Sequence, residues 1–133
     1  MDGQRSHEAA IHCDFLKYVA RNAIKHTRRT VEIPRGKLNF FLAVAAATYR
    51  DVTLHTAQDL QSSVDVDISE HLEGNALQRR RMEIVSRQLG RPFVVVHSPN
   101  RLVEVVHDAA VSVMGEPIGL VYDGANHFNL LRL

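Results

Sequence analysis

Two polar side chains near the end of the chain have the types and spacing that suit base catalysis. His127 follows the turn pair Asp123-Gly124, and Asn129 comes two residues later. Because residues i and i+2 of a strand project from the same face, Asn129 is placed to orient the His127 imidazole. An oriented imidazole is the general base that activates a nucleophile in covalent catalysis. Taken alone, a histidine after a turn is also typical of an ordinary surface residue.

The most apolar stretch of the chain would have to position the partner of this base. Residues 40–49 (FFLAVAAATY) carry no charge. A helix that is apolar on most of its circumference is buried, and this one is too short to cross a bilayer. Unpaired backbone N–H groups and the positive end of the helix dipole meet at its first turn. We therefore expect a special role for the residue at that position, Asn39.

Three segments in this order resemble the ovarian-tumour (OTU) family of cysteine deubiquitinases. Residues 40–45 (FFLAVA) align with the family's first motif, which reads Asp-Gly-Asn-Cys-Phe-Phe-Arg-Ala-Val-Ala. Residues 91–96 (RPFVVV) resemble its central strand, and residues 127–129 (HFN) resemble its catalytic histidine motif. The resemblance covers residues 14–133 and implies a papain-like fold with His127 and Asn129 at the site.

The departures from the OTU pattern bear directly on activity. Asn39 stands where the family has its nucleophilic cysteine, and Gly36-Lys37-Leu38 replaces the preceding Asp-Gly-Asn. An amide cannot form the acyl-enzyme, so the two-step hydrolysis of the family is unavailable to Asn39. The one thiol of the chain, Cys13, lies far from this motif in sequence.

These residues predict a catalytically inactive, OTU-like binding module, whose partner would be ubiquitin or a ubiquitin-like protein. One alternative is an active hydrolase in which Cys13 folds into the site, or in which His127 and Asn39 support different chemistry. Another is a purely structural domain of a larger polypeptide.

A run of acidic residues after the middle of the chain has two interpretations. Such a patch is usually a solvated face, but it also suits a basic partner. The resemblance implies such a partner, because the recognition face of ubiquitin is basic. The predicted partner-binding residues are Asp59, Asp65, Asp67, Glu70 and Glu73.

Composition narrows the class of protein. The 133 residues suit one domain, and 16 basic against 15 acidic residues give no reason to expect nucleic acid or a membrane as partner. A single cysteine excludes an internal disulfide and favours a reducing, cytoplasmic location. We expect no cofactor, and no metal site beyond a weak cluster of His7, His12 and Cys13.

Hydrophobic periodicity predicts an α+β fold in which helices pack around a small, mostly antiparallel, meandering sheet. Residues 1–7 are polar and predicted to be flexible. Asn75 is the predicted N-cap of the helix that ends at Gly90. The other predicted helices span 8–25, 40–49 and 53–61, with the capped helix at 76–89, and the strands span 30–33, 92–96, 102–106, 118–122 and 127–133.

Overall fold

The structure is a computed structural model that describes residues 2–25, 29–50, 53–108 and 115–133, with side chains described from His12 onward. The described residues form four helices and five strands. The helices are α1 (Asp2–Ile24), α2 (Asn39–Tyr49), α3 (Leu54–Asp65) and α4 (Gly74–Leu89). The strands are β1 (Thr30–Val31), β2 (Phe93–His97), β3 (Leu102–Val106), β4 (Ile118–Tyr122) and β5 (Phe128–Leu131).

The strands form one sheet in the order β1-β5-β4-β2-β3. Three of its four pairings are antiparallel, and β2 and β4 run parallel. The prediction of an α+β class with a mostly antiparallel sheet is confirmed. The prediction of a simple meander is wrong, because β4 does not extend the sheet beyond β3 but returns to the other side of β2.

The continuous apolar run of β2 arises because both faces of the sheet are covered by helices. Phe93 and Val95 belong to the core shared with α2, α3 and α4. Val94 and Val96 lie in a second cluster, with the α1 residues Leu16 and Ala20. Since successive residues of a strand point to opposite faces, α1 covers one face and the other three helices cover the opposite one.

Helix α2 begins at Asn39, and its first two turns are buried, as its composition predicted. The aromatic ring of Phe40 packs against those of Phe93 and Phe128, with centroids 5.7 and 5.6 Å apart. Burial does not extend along the whole helix, since the side chain of Tyr49 is 55% exposed. Arg50 ends α2 with φ of 53°, in the left-handed region.

Several predicted boundaries are wrong by a few residues. Helix α1 begins at Asp2, so residues 2–7 are helical, and α3 continues to Asp65. Helix α4 starts at Gly74 after Glu73, so Asn75 is not its N-cap, whereas Gly90 ends it in the left-handed conformation as predicted. Residues 26–28, predicted to end the first helix, lie outside the described residues. None of the helices described is both long and apolar enough to span a membrane.

Candidate functional site

The three residues predicted to form the site lie where α2 and β5 begin. His127 immediately precedes β5, and Asn129 is the second residue of that strand. His127 Nε2 lies 3.0 Å from Asn129 Oδ1, so the predicted imidazole–amide pair is present. The interpretation of His127 as an ordinary surface residue is wrong, because it is only 7% exposed.

The hydrogen bonds of Asn129 determine which nitrogen of His127 carries the hydrogen. Asn129 Oδ1 accepts a hydrogen bond of 3.0 Å from the backbone N–H of Ile33, which identifies this atom as the amide oxygen. His127 Nε2 must therefore be the donor in their contact. In the neutral ring Nδ1 then holds a lone pair. Nδ1 is buried and has no hydrogen-bond partner among the described residues.

The Asn39 amide is not directed at this lone pair but is bonded to main chain. Asn39 Oδ1 accepts from the N–H of Phe128 at 2.6 Å. Asn39 Nδ2 donates to the carbonyl oxygens of Phe128 and Pro34, each at 3.0 Å. Asn39 is 2% exposed. Both N–H bonds of the amide are therefore satisfied, and the first residue of α2 is fixed to the first residue of β5.

The hydrogen bonds of the Asn39 amide, here called the Asn39 clamp, are needed because β1 is too short to pair with all of β5. Thr30 and Val31 pair with Leu131 and Leu130, and the pairing ends there. Beyond the end of β1, the Asn39 amide hydrogen-bonds the backbone N–H and carbonyl oxygen of Phe128, as a neighbouring strand would. Leaving such buried backbone groups unpaired is costly. Asn39 is therefore an integral part of the sheet edge.

No thiol accompanies the imidazole. Cys13 is half-buried on α1 and is the single cysteine of the chain. Helix α1 packs on β2 and β3 from the face of the sheet opposite to α2. The structure therefore does not bring Cys13 together with the pair formed by His127 and Asn129.

A cleft of about 490 Å³ opens beside this pair, between the segment that leads into α2 and the turn that joins β4 to β5. Arg35 and Asp123 face each other across it in an ion pair of 3.2 Å. The pKa of Asp123 is lowered, first by a hydrogen bond of 2.7 Å from the N–H of Ala125 and then by Arg35. Sequence reasoning missed both charged residues, although the Asp123-Gly124 turn marked this position.

The five acidic residues do not form one free patch. Arg81 binds Asp65 with two hydrogen bonds, and Arg87 pairs with Asp67 at 3.4 Å. Two further acidic residues contact exposed histidines, and within the described part of the chain Glu70 makes no ion pair. The histidine contacts are His55 with Asp59 at 3.4 Å and His71 with Glu73 at 3.3 Å.

Among the side chains that the structure describes, no group of three His, Cys, Asp or Glu residues is arranged to hold a metal ion. His7, one member of the weak cluster, lies outside those side chains. Comparison with models of known protein families gives no match, and comparison with curated proteins gives none.

Proposed function

We propose that this chain is an OTU-like interaction domain without hydrolase activity, and that its partner is ubiquitin or a ubiquitin-like protein. The observation that carries the proposal is the state of Asn39, which occupies the nucleophile position of the resembled motif. Its amide is buried and bonded to Phe128 and Pro34. A residue used in this way stabilises the fold and has no capacity for covalent catalysis.

Retention of the imidazole–amide pair supports descent from a hydrolase. His127 and Asn129 keep the arrangement in which an amide oxygen orients a general base, with Nδ1 free to accept a proton from a nucleophile. No residue of the described site supplies that nucleophile. The pair is therefore a retained part of a catalytic arrangement, and the cleft beside it is left for binding.

The exposed acidic residues of α3 and of the segment that follows it suit a basic partner. Glu70 is exposed without an ion-pair partner among the described residues, and Asp59 and Glu73 contact only exposed histidines. Asp65 and Asp67 are already paired with arginines of α4, so they contribute less to such a surface. Rim contacts of this kind weaken as salt is added.

Titration of the isotope-labelled domain with unlabelled ubiquitin tests the partner. We expect amide signals near His127 and Glu70 to shift, and we expect Glu70→Lys to reduce the shifts. Asp14→Lys is the matched control, because it reverses the charge of an exposed acid on α1. Absence of any shift at high ubiquitin concentration would exclude ubiquitin as the partner.

A ubiquitin probe that ends in an electrophile tests the loss of the nucleophile. We expect no labelling of the native chain, and labelling of Asn39→Cys in a Cys13→Ser background, where it is the only thiol. Because this change removes the Asn39 hydrogen bonds, the variant must first show native-like circular dichroism. Labelling of the native chain at Cys13 would overturn the proposal and establish the active hydrolase instead.

The structural clamp at Asn39 favours one second candidate, a structural domain whose cleft binds nothing. The two candidates differ in what they predict for His127→Gln. A purely structural domain retains every partner interaction in this variant, whereas a binding cleft loses the ubiquitin-induced shifts around Asp123.

A further inference from the structure

A second and larger groove, of about 1040 Å³, lies at the opposite end of the β4–β5 pair. The His127 cleft lies where β4 ends and β5 begins. This groove lies where β4 begins and β5 ends, between α1 and the C-terminal end of α2. It therefore shares no lining residue with the His127 cleft, and nothing in the proposed function depends on it.

The groove has apolar side chains accessible along its length. Phe15 and Val19 of α1 line one side, and Ala46 and Ala47 of α2 line the other. Phe15 is 60% exposed, so its ring is accessible to a ligand in the groove. Burying it against a ligand would be favourable, because apolar surface would leave water.

Three arginines line the same groove, and none has a carboxylate partner among the described residues. Arg91 donates to two backbone carbonyl oxygens, of Glu116 at 2.6 Å and Pro117 at 3.4 Å, which leaves its positive charge unneutralised. Arg50 and Arg132 are exposed. Glu116 is the one acidic side chain among the lining residues, against three arginines. The groove therefore carries a net positive charge.

Several other arginines differ from these three, because they are paired with carboxylates. Five described arginines are each within 3.5 Å of an Asp or Glu oxygen, and none of these lines the groove. They are Arg35, Arg79, Arg80, Arg81 and Arg87.

We propose that this groove binds a segment of a partner protein in which acidic side chains alternate with large apolar ones. The carboxylates of such a segment pair with Arg50, Arg91 and Arg132. Its apolar side chains cover Phe15 and Val19. A single-stranded nucleic acid fits less well, because its bases would stack on Phe15 and leave the aliphatic lining of the groove uncovered.

Fluorescence anisotropy with a short dye-labelled peptide that alternates glutamate with leucine tests the proposal. We expect saturable binding that weakens as salt is added, and loss of binding when every glutamate of the peptide is replaced by glutamine. An unlabelled single-stranded oligonucleotide should not compete. Equal binding of the glutamine peptide, competition by the oligonucleotide, or absence of binding would overturn the proposal.

Variants of the chain locate the binding site. The double substitution Arg50→Gln and Arg132→Gln is expected to raise the Kd by roughly fivefold or more, since two exposed ion pairs are lost. Arg21→Gln with Arg101→Gln is the matched control, because it removes the same charge from exposed positions outside the groove. Equal weakening by the control would show only a general charge effect and would overturn the assignment to this groove.

A second pair of variants tests the apolar half of the groove. Phe15→Ala is expected to weaken peptide binding, whereas Tyr18→Ala should not. Tyr18 is 64% exposed on the same helix and does not line the groove, so both substitutions leave the core intact. His127→Gln should leave peptide binding unchanged, which separates this groove from the cleft of the proposed function.

Discussion

The two ends of α2 meet their surroundings in opposite ways. At the N-terminal end the Asn39 amide is buried and bonded to the main chain, and nearby Arg35 is paired with Asp123. At the C-terminal end Tyr49 is more than half exposed, and Arg50 has no carboxylate partner among the described residues. The N-terminal end is fixed to β5, and the C-terminal end faces an open groove.

This difference shows that the two ends of one helix can contribute differently to the stability of a fold and to its accessible surface. A buried amide that completes a sheet edge stabilises the fold because the backbone groups it bonds have no other partner. Charged side chains without partners contribute little to stability, but they attract ligands of opposite charge. We therefore expect substitution of Asn39 to destabilise the fold and substitution of Arg50 to leave the stability of the fold unchanged.

The largest effect on folding is expected for Asn39→Ala. This change removes three hydrogen bonds and leaves the buried backbone groups of Phe128 unpaired. We expect the free energy of unfolding to fall by about 3–5 kcal/mol, measured by urea denaturation.

Arg50→Gln is the counterpart at the other end of the helix, and it should change the free energy of unfolding by less than about 0.5 kcal/mol. Equal destabilisation by the two substitutions, or a loss below about 1 kcal/mol for Asn39→Ala, would contradict the contrast between the ends.

Gly119→Ala tests whether the sheet that lines the groove is as tightly packed as the Asn39 clamp. A Cβ atom at Gly119 would collide with the backbone carbonyl oxygen of Leu131 and press on the Leu133 side chain, 3.0 Å away. We expect a loss of about 1–3 kcal/mol, because backbone atoms cannot move aside cheaply. Gly124→Ala is a poor control, because Gly124 has φ of 87°, which alanine adopts only with strain. Ala125→Gly at the exposed turn is the better control. An unchanged unfolding midpoint for Gly119→Ala would mean that the backbone at this end of the sheet shifts to accommodate the added Cβ atom.

Asn129→Ala is expected to lower the stability of the fold and to change the tautomer of the His127 imidazole. The N–H of Ile33 and the Nε2–H of His127 lose their common acceptor, which should cost about 1–2 kcal/mol. Nitrogen chemical shifts of His127 report the tautomer directly. We expect Nε2–H in the native chain and a mixture of tautomers in the variant. Nδ1–H in the native chain would contradict the hydrogen-bond assignment.

The smallest expected effect concerns the pH dependence of the ion pair across the His127 cleft. The pKa of Asp123 lies below its ordinary value of 3.8, chiefly because of the Ala125 N–H and also because of Arg35. A carboxyl group whose pKa is lowered on folding stabilises the native state when the pH is above the pKa of the unfolded state. This stabilisation is lost as the pH falls through the pKa of the folded state.

The difference in stability between the native chain and Asp123→Asn should therefore be constant above about pH 5 and should shrink at lower pH. Unfolding midpoints measured over an acidic pH series check this expectation. A difference that persists unchanged at the lowest pH would mean that the carboxylate does not contribute through its charge.

Local patterns in the sequence were sufficient to predict most of the regular structure. The buried helix after Asn39, the strands at β2 and β3 and the end of α4 at Gly90 all follow from periodicity and backbone preference. The pairing of His127 with Asn129 also follows from the sequence, because the two residues are close along the chain.

Contacts between residues distant in sequence could be learned only from the tertiary structure. The parallel pairing of β2 with β4 depends on how the chain crosses the sheet, and the partners of Asp65 and Asp67 are arginines on another helix. The sequence likewise predicted a special role for Asn39 without revealing that its amide bonds Phe128, 89 residues away. Such contacts depend on which distant residues come together in the fold, so no local sequence pattern indicates them. Periodicity and turn preferences act between neighbouring residues and can therefore be recognised in the sequence.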